Sequence, residues 1–262
     1  MPEGDTVYRT ARTLDQALRG SILTGCDIRV PAFATVDLSG QTVHEVVSRG
    51  KHLLHRVGET SIHSHLKMEG AWHLYRPGTR WQRPAFQARI VLQTADWVAV
   101  GFELGVLELV PTRAESEVVG YLGPDLLDVQ WSAADAAEAA VRLAAQGEQP
   151  IIVSLADQRN LAGLGNVYVN ELCFLRGLLP TRPMAEVTDV PGLVGLARRL
   201  LLANKDRDER TTTGNLRRGA QTWVYGRGGQ ACRRCGCHIR RGTLGRSDVE
   251  QRNTFWCPRC QT

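Results

Sequence analysis

The stretch TVHEVVSRGKHLLHRVGETSIHSHLKM, residues 42–68, contains three short segments rich in valine, isoleucine and leucine, separated by Arg-Gly and Gly-Glu. Apolar segments of this length that are bounded by glycine are typical of β-strands joined as hairpins. Two more segments of the same kind follow, FQARIVLQT (86–94) and WVAVGF (97–102). The region therefore predicts an antiparallel sandwich or barrel.

The residues on either side of this region have a helical pattern. Residues 5–20 (DTVYRTARTLDQALRG) place apolar side chains at helical spacing and end in glycine, which predicts one helix before the sheets. From Ser132 onward the chain is rich in alanine and begins with a serine suited to an N-cap. We therefore expect an α+β fold with a domain boundary near residue 128.

The charge of the chain is concentrated at its C-terminal end. Residues 213–262 carry ten arginines and two acidic residues, a net charge of +8, whereas residues 1–212 have a net charge of −3. A basic segment on a nearly neutral body favours a polyanionic partner such as nucleic acid. The sequence shows no apolar run of 18 residues and no charged-then-apolar start, so we expect a cytoplasmic protein with no membrane partner.

Four of the seven cysteines form two pairs that are 21 residues apart. The pairs are CRRC (Cys232 and Cys235) and CPRC (Cys257 and Cys260). This spacing in a chain without an export signal is typical of a structural zinc site, and thiolates favour zinc over magnesium or calcium. We predict one structural Zn²⁺ ion that clamps a β-hairpin, with Arg252 near the hairpin tip and Cys237 as a spare thiol.

A glycine-rich segment, residues 157–166 (DQRNLAGLGN), joins two helical stretches. Glycines let the backbone approach a ligand closely, and the N-terminus of the next helix favours an anion. The same composition also occurs where a chain only changes direction between helices. Both interpretations stay open from the residues alone, and Asn166 could equally cap the helix that follows.

The first residues, MPEG, raise a chemical possibility. Removal of Met1 would leave Pro2 with a free secondary amine, with Glu3 as the nearest acid. By contrast, His63 and His65 alternate with apolar residues on one predicted strand, and no carboxylate or cysteine motif accompanies them. We therefore assign the two histidines no catalytic role.

These features together resemble the formamidopyrimidine-DNA glycosylase and endonuclease VIII family. The matching motifs are MPEG (1–4), RGKHLL (49–54), SHLKMEG (64–70), NLAGLGNVYVNE (160–171), VYGR (224–227) and the four-cysteine hairpin. The resemblance implies three parts: an N-terminal β-sandwich catalytic domain (1–128), a domain with a helix-two-turn-helix element (129–227) and a zinc-finger hairpin (228–262). It also implies a monomer that binds damaged DNA, duplex or single-stranded, in a cleft between domains.

The resemblance further implies roles for individual residues. Pro2 would attack the sugar C1′ atom to form an iminium, and Glu3 would donate a proton to the opening sugar ring. Lys51, which belongs with the catalytic residues, would grip a phosphate beside the extruded nucleotide, as would Asn166 and Arg252.

One apolar side chain is expected at the gap that the extruded base leaves. Met68 would fill this gap as a wedge. Leu104 would be a further DNA contact, but Phe102 and Leu104 match no motif closely and could equally both be core residues. The purine-acting branch carries Arg-Arg-Phe-Gly in this loop, whereas residues 102–105 read FELG, so a donor for the orphaned base is missing. The family also often carries glutamate at position 6, where this chain has Thr6.

The expected function is therefore that of a bifunctional DNA glycosylase and AP lyase of base excision repair. The PEG opening is more similar to the endonuclease VIII branch, which favours oxidised pyrimidines as substrates. Two alternatives remain open: a glycosylase for purine lesions, and a non-catalytic zinc-containing DNA-binding protein.

Overall fold

A computed structural model describes residues 2–262 of the chain. Met1, whose removal the proline chemistry requires, lies outside the described residues. The chain divides into two compact units, Met1–Tyr121 and Leu122–Thr262, whereas the sequence places the first boundary near residue 128. The second unit contains both the helices and the cysteine hairpin, so the three-part division stays a prediction.

The first unit consists of a leading helix and two antiparallel sheets. Helix α1 spans Gly4–Leu18 and α2 spans Ser116–Val119. The strands are β1 (Gly25–Ile28), β2 (Val43–Arg49), β3 (His52–Val57), β4 (Thr60–His65), β5 (Ala71–Tyr75), β6 (Ala88–Gln93), β7 (Val98–Phe102) and β8 (Val106–Pro111). The sheet orders are β1-β6-β7-β5 and β2-β3-β4-β8, with antiparallel pairing throughout.

One apolar core joins the two sheets and α1. Its buried members come from α1 and from both sheets, among them Val7, Leu14, Leu18, Val46, Leu53, Ile62, Trp72, Ile90, Leu92 and Leu107. The carboxylate of Asp15 on α1 accepts the backbone N–H of Val46 at 2.7 Å, so the helix is also hydrogen-bonded to β2. The predicted two-sheet sandwich with a leading helix is confirmed.

The second unit is helical, with a short two-stranded sheet near its end. Its helices are α3 (Ala133–Ala144), α4 (Ile151–Ala156), α5 (Asn166–Leu175) and α6 (Val190–Asn204), and its strands are β9 (Arg240–Leu244) and β10 (Arg252–Trp256). Ser132 and Asp135 form a capping box that begins α3. Residues 157–165 join helices α4 and α5. Within the part of the chain that the structure describes, no helix has the length and apolarity needed to cross a bilayer.

A histidine lies in the core of the first unit. The ring of His55 is fully buried, and its centroid is 4.4 Å from that of Trp72. Neither ring nitrogen has a hydrogen-bonding partner among residues 2–262. Burial lowers the pKa of His55 to about 4, and a weaker effect of the Ile62 backbone opposes this shift. Burial is also the main reason that the pKa of His52 is lowered to about 3 and that of His65 to about 4.

These lowered pKa values predict a protein that loses stability in mild acid. In the unfolded chain the three imidazoles take up protons near pH 6.5, but in the folded chain they do so only near pH 3–4. Between these values the unfolded state binds more protons, so the free energy of unfolding falls as the pH is lowered. His55→Phe should reduce that loss by about 2 kcal/mol between pH 7.5 and pH 5, as measured by urea unfolding.

The matched control is His44→Phe, because His44 is exposed on β2 of the same unit. This control should keep the pH dependence of the unmodified protein. Identical pH dependence in the His55→Phe variant and the unmodified protein would show that the buried ring does not cause the acid sensitivity.

Candidate functional site

Pro2 and Glu3 lie immediately before α1. Glu3 is the N-cap residue of this helix, and its backbone carbonyl accepts the N–H of Val7 at 3.0 Å. Its side chain is fully buried, and Pro2 is half-buried. A buried carboxyl group requires polar partners, and Glu3 has such contacts in the fold. The fold therefore places a buried acid directly beside Pro2.

Lys51 lies in the two-residue turn between β2 and β3. Arg49 pairs with His52 across this turn, and Gly50 has a φ of 58°. Glycine at the first central position suits a type II′ hairpin turn, because this position requires a positive φ. Helix α1, which begins after Glu3, packs on both strands of the hairpin that this turn connects.

Met68 lies in a tight turn that follows β4. The strand ends at His65, so Met68 lies beyond the strand and not on it. Lys67 has a positive φ of 54°, and Gly70 closes the turn by donating to the Leu66 carbonyl at 2.9 Å. The Met68 side chain is 59% exposed. An exposed methionine on a closed turn has the form expected of a wedge.

Leu104, by contrast, is not at the surface. It is 7% exposed and belongs to the core of the first unit, and Phe102 is fully buried. The structure therefore favours a core role for Leu104 over the predicted DNA contact, because its apolar side chain packs in the sandwich core. The FELG stretch supplies packing at these two positions.

His63 does have a carboxylate partner, which the sequence pattern did not reveal. His63 Nδ1 lies 3.1 Å from Glu108 Oε2, because β8 pairs with β4 at this position. The other ring nitrogen of His63, Nε2, lies 2.7 Å from His52 Nδ1. His52 Nε2 in turn lies 3.0 Å from the Tyr121 hydroxyl oxygen. The four side chains form one hydrogen-bonded chain across the sheet up to the last residue of the unit.

In the second unit, the side chains of the NVYVNE motif connect α5 to other segments. Asn166 is the first residue of α5, after Gly165 as N-cap, and is buried. Its Nδ2 donates to the Asn253 carbonyl at 2.9 Å, and Asn170 Oδ1 accepts the Phe255 N–H at 2.6 Å. Both bonds attach β10 to α5. Asn166 therefore does not cap the helix with its side chain but joins it to the hairpin.

Glu171 is a structural residue that the sequence motif alone did not identify. It is fully buried, and its carboxylate accepts the backbone N–H groups of Trp223, Val224 and Tyr225, each at 2.8 Å. The hydroxyl of Thr212 also donates to it. Four donors satisfy the buried charge, and they fix the loop that contains the VYGR motif.

The glycine-rich connection between α4 and α5 is held to the tip of the hairpin. Burial alone would raise the pKa of Asp157, but hydrogen bonds from Arg159 and Arg246 outweigh this effect and lower the pKa. Arg246 lies in the turn between β9 and β10, and Arg252 begins β10 with its side chain exposed. The ion pair thus fixes the turn that precedes Arg252.

The four predicted metal ligands converge. The sulfur atoms of Cys232, Cys235, Cys257 and Cys260 lie within 4.8 Å of one another. Two of the distances are 4.0 Å (Cys232 to Cys260) and 3.4 Å (Cys235 to Cys257). A tetrahedral zinc with bonds of about 2.3 Å places sulfurs about 3.8 Å apart, so the donor set fits one such ion. Cys237 is not part of the cluster.

The arginines next to the cysteines have structural partners. Arg233 donates to the carbonyls of Thr222 and Gly219, the second at 2.5 Å. Arg234 lies over the ring of Phe174 at 4.5 Å. These positive charges stay close to the cluster, where they can offset the negative charge of four thiolates around one divalent ion.

Comparisons with known proteins agree with this arrangement. Residues 1–103 match the model of the formamidopyrimidine-DNA glycosylase N-terminal domain. A protein of Mycolicibacterium smegmatis, "DNA-(apurinic or apyrimidinic site) lyase Nei2", is 52% identical over 262 residues, which cover 100% of this chain and 99% of that protein. The chain belongs to the formamidopyrimidine-DNA glycosylase and endonuclease VIII family. "Endonuclease 8 2" of Mycobacterium tuberculosis is 50% identical over 265 residues, with 100% of each chain covered.

Solved structures extend the family likeness to the fold. A complex between Lactococcus lactis Fpg and DNA that contains an abasic site has a TM-score of 0.80 and 22% identity, with 100% of each chain covered. At this identity the likeness concerns the backbone architecture. This member of the formamidopyrimidine-DNA glycosylase and endonuclease VIII family therefore has the family fold throughout, and its α+β class is confirmed.

Proposed function

We propose that this protein is a bifunctional DNA glycosylase and AP lyase of base excision repair that acts preferentially on oxidised pyrimidines. The observation that carries the proposal is the position of Pro2 and Glu3 at the start of α1, in a chain that matches an AP lyase over its whole length. The match includes the sandwich, the α5 motif and the cysteine hairpin. A DNA-binding protein without catalysis does not require a buried acid beside an N-terminal proline.

Pro2 acts as the nucleophile after Met1 has been removed. A terminal amine has a pKa of about 7.7–8.0, so a useful fraction is unprotonated at neutral pH. The nitrogen bonds to C1′ of the damaged nucleotide, the bond from C1′ to the base breaks, and the departing base takes up the proton that the nitrogen loses. A secondary amine gives an iminium that is charged without any added proton, and this ion draws electrons from the sugar for the elimination that cuts the strand.

Glu3 is the general acid in this scheme. Its buried carboxyl donates a proton to the ring oxygen of the deoxyribose as the ring opens, and afterwards it moves protons during elimination. The N-cap position holds the carboxyl at the same point of the chain as the nucleophile. Neighbouring residues therefore supply both chemical roles.

Three residues hold the phosphates beside the extruded nucleotide in this proposal. Lys51 contributes from the β2–β3 turn, Asn166 from the start of α5 and Arg252 from the start of β10. Asn166 Nδ2 carries two hydrogens, of which the Asn253 carbonyl accepts one, so the second can serve a phosphate oxygen. Met68 enters the gap in the base stack as a wedge. Phosphate contacts of this kind position the protein without reading sequence.

We assign one structural Zn²⁺ ion to the four cysteines. When bound, the ion joins the loop around Cys232 and Cys235 to the end of β10, and it has no open position for catalysis. The residues of β10 then present Arg252 from a clamped hairpin. Damaged DNA is the partner that this arrangement of cationic and amide donors suits.

The preference for pyrimidine lesions rests on the PEG opening, which is similar to that of the endonuclease VIII branch, and on Glu103. This residue stands where the purine-acting branch carries arginine, and a carboxylate cannot supply the donors that pair with an orphaned base. The alternative is a glycosylase for 8-oxoguanine and formamidopyrimidine lesions. The Glu103 observation favours the pyrimidine class.

Borohydride trapping tests the proposal. Protein freed of Met1 is mixed with matched duplexes that contain thymine glycol, 8-oxoguanine or an abasic site, and borohydride reduces any iminium to a stable adduct. We expect strong adducts with the abasic and thymine glycol duplexes and at least tenfold less with 8-oxoguanine. The control is the same chain with an uncleaved N-terminal extension, which should form none because Pro2 is then an amide.

Failure to trap abasic DNA with the processed protein would leave only a zinc-containing DNA-binding protein. A stronger adduct with 8-oxoguanine than with thymine glycol would instead favour the purine-lesion alternative.

A further inference from the structure

Two strained turns of the first unit interlock beside Met68. One is the turn of residues 66–70 and the other is the turn of residues 103–105, between β7 and β8. Each contains a residue other than glycine with a positive φ, Lys67 at 54° and Glu103 at 46°. The Gly105 N–H donates to the His65 carbonyl at 3.0 Å, and a Cβ atom at Gly105 would collide with the Lys67 side chain. Strain of this kind persists only where the surroundings enforce it.

Arg83 connects the two turns. Its Nη1 donates to the Glu69 carbonyl at 3.0 Å and to the Glu103 carboxylate at 3.1 Å. Glu69 directly follows Met68, so one end of this bridge acts on the peptide next to the wedge. The other end holds Glu103, the residue that stands in place of an arginine of the purine branch.

The segment that carries Arg83 is itself firmly placed. Trp81 packs against Phe102, with ring centroids 5.8 Å apart, and Gln82 N–H donates to the Tyr75 hydroxyl at 3.0 Å. The Gln87 carbonyl accepts the Glu103 N–H at 2.9 Å. Arg83 therefore extends from a supported segment, and its side chain is only 31% exposed.

The charge of Glu103 gives the bridge a second consequence. A carboxylate at a surface that approaches phosphates is repelled by them, whereas a paired carboxylate is neutralised. Arg83 supplies this neutralisation from within the same unit.

We propose that Arg83 is a positioning residue for the Met68 wedge. The inference rests on the proposed function: Arg83 holds the backbone next to Met68 in its strained turn and pairs with Glu103, so that Met68 enters the base stack in one conformation. A side chain that replaces a base must be fixed beforehand, because an unsupported turn relaxes instead of opening the duplex. Arg83 itself takes no part in bond breaking.

The test compares substrates that need the wedge with a substrate that does not. Arg83→Met removes the bridge, Arg83→Lys keeps a donor and a charge, and Arg80→Met removes an exposed arginine from the same segment as a matched control. Base removal from a thymine glycol duplex is measured under single-turnover conditions, alongside cleavage of a single-stranded abasic oligonucleotide. 2-Aminopurine next to the lesion reports unstacking.

We expect Arg83→Met to slow base removal and unstacking in the thymine glycol duplex at least fivefold. Cleavage of the single-stranded abasic oligonucleotide should stay within twofold of the rate of the unmodified protein. Arg83→Lys should recover most of the loss, and Arg80→Met should behave like the unmodified protein. Glu103→Gln should also slow duplex base removal, because it weakens the same bridge. If Arg83 instead only contacted a phosphate, Glu103→Gln would leave that rate unchanged or raise it.

Three outcomes would overturn the inference. They are duplex activity of Arg83→Met equal to that of Arg80→Met, equal losses on both substrates, and a Glu103→Gln variant that is as fast as the unmodified protein. An unmodified protein without activity on either substrate would overturn the proposed function itself, which separates the two failures.

Discussion

Glu3→Gln should lower base removal from a thymine glycol duplex by about 10²–10⁴-fold and leave cleavage of a preformed abasic site within about tenfold of the unmodified protein. An intact nucleotide has a closed sugar ring, and opening this ring requires a proton on its oxygen. An abasic site already presents an open aldehyde in part of its population, so Pro2 can form the iminium without that proton. The glutamine is isosteric and cannot act as the acid.

The measurement is a single-turnover comparison of the two substrates with the same enzyme preparation. Glu59→Gln is the matched control, because it makes the same chemical change at an exposed position of the same unit. Urea unfolding checks that the buried glutamine is tolerated, since Glu3 has polar contacts in the fold. Equal losses on both substrates would show that Glu3 is not the ring-opening acid.

Cys257→Ser should abolish stoichiometric zinc binding and weaken binding to abasic-site DNA by about 10²-fold or more. Binding of zinc by four thiolates contributes roughly 10–16 kcal/mol to the folding of small zinc modules, so the loss of one ligand releases the hairpin. Cys257 lies in one apolar cluster with Phe174, Val224 and Phe255. Disorder of the hairpin and of this cluster removes two proposed phosphate contacts, those of Asn166 and Arg252. Each contact contributes about 1.5–3 kcal/mol to the binding free energy.

Native mass spectrometry and DNA titration at fixed salt measure these two effects. Cys237→Ser is the matched control, because Cys237 is a neighbouring thiol outside the four-sulfur cluster. It should keep one zinc ion and unchanged affinity. Tight DNA binding by zinc-free Cys257→Ser would show that the hairpin needs no metal clamp.

Features that depend on residues close together in sequence could be predicted before the structure. The spacing of the cysteine pairs predicts a metal site, and the structure brings all four sulfurs within 4.8 Å of one another. The Gly50–Lys51 turn and the helix after Glu3 follow from local preferences of glycine and of apolar spacing. The sandwich could be predicted from its pattern of short apolar strands.

Features that depend on strand register or on contacts between distant segments could not be predicted from the sequence. The partner of His63 is Glu108, which comes from a strand 45 residues later in the chain. Glu171 binds a loop more than 50 residues away. No spacing rule relates such positions.

The exposure of two apolar residues also depended on the tertiary structure. Strand β4 ends at His65, and the turn that follows exposes Met68. Leu104 was expected at the DNA, but it fills the sandwich core.

The sequence by itself determined the chemistry that this protein has available: a proline behind the initiator methionine, an acid beside it, four thiolates with zinc spacing and a basic C-terminal segment. Only the tertiary structure decided which side chains are exposed, buried or paired. Met68 is exposed to solvent, Leu104 is buried in the core, and Arg83 bridges two turns. The physical reason is that residue type and near spacing set the intrinsic reactivity and local geometry. Burial and long-range hydrogen bonds depend on how the whole chain packs.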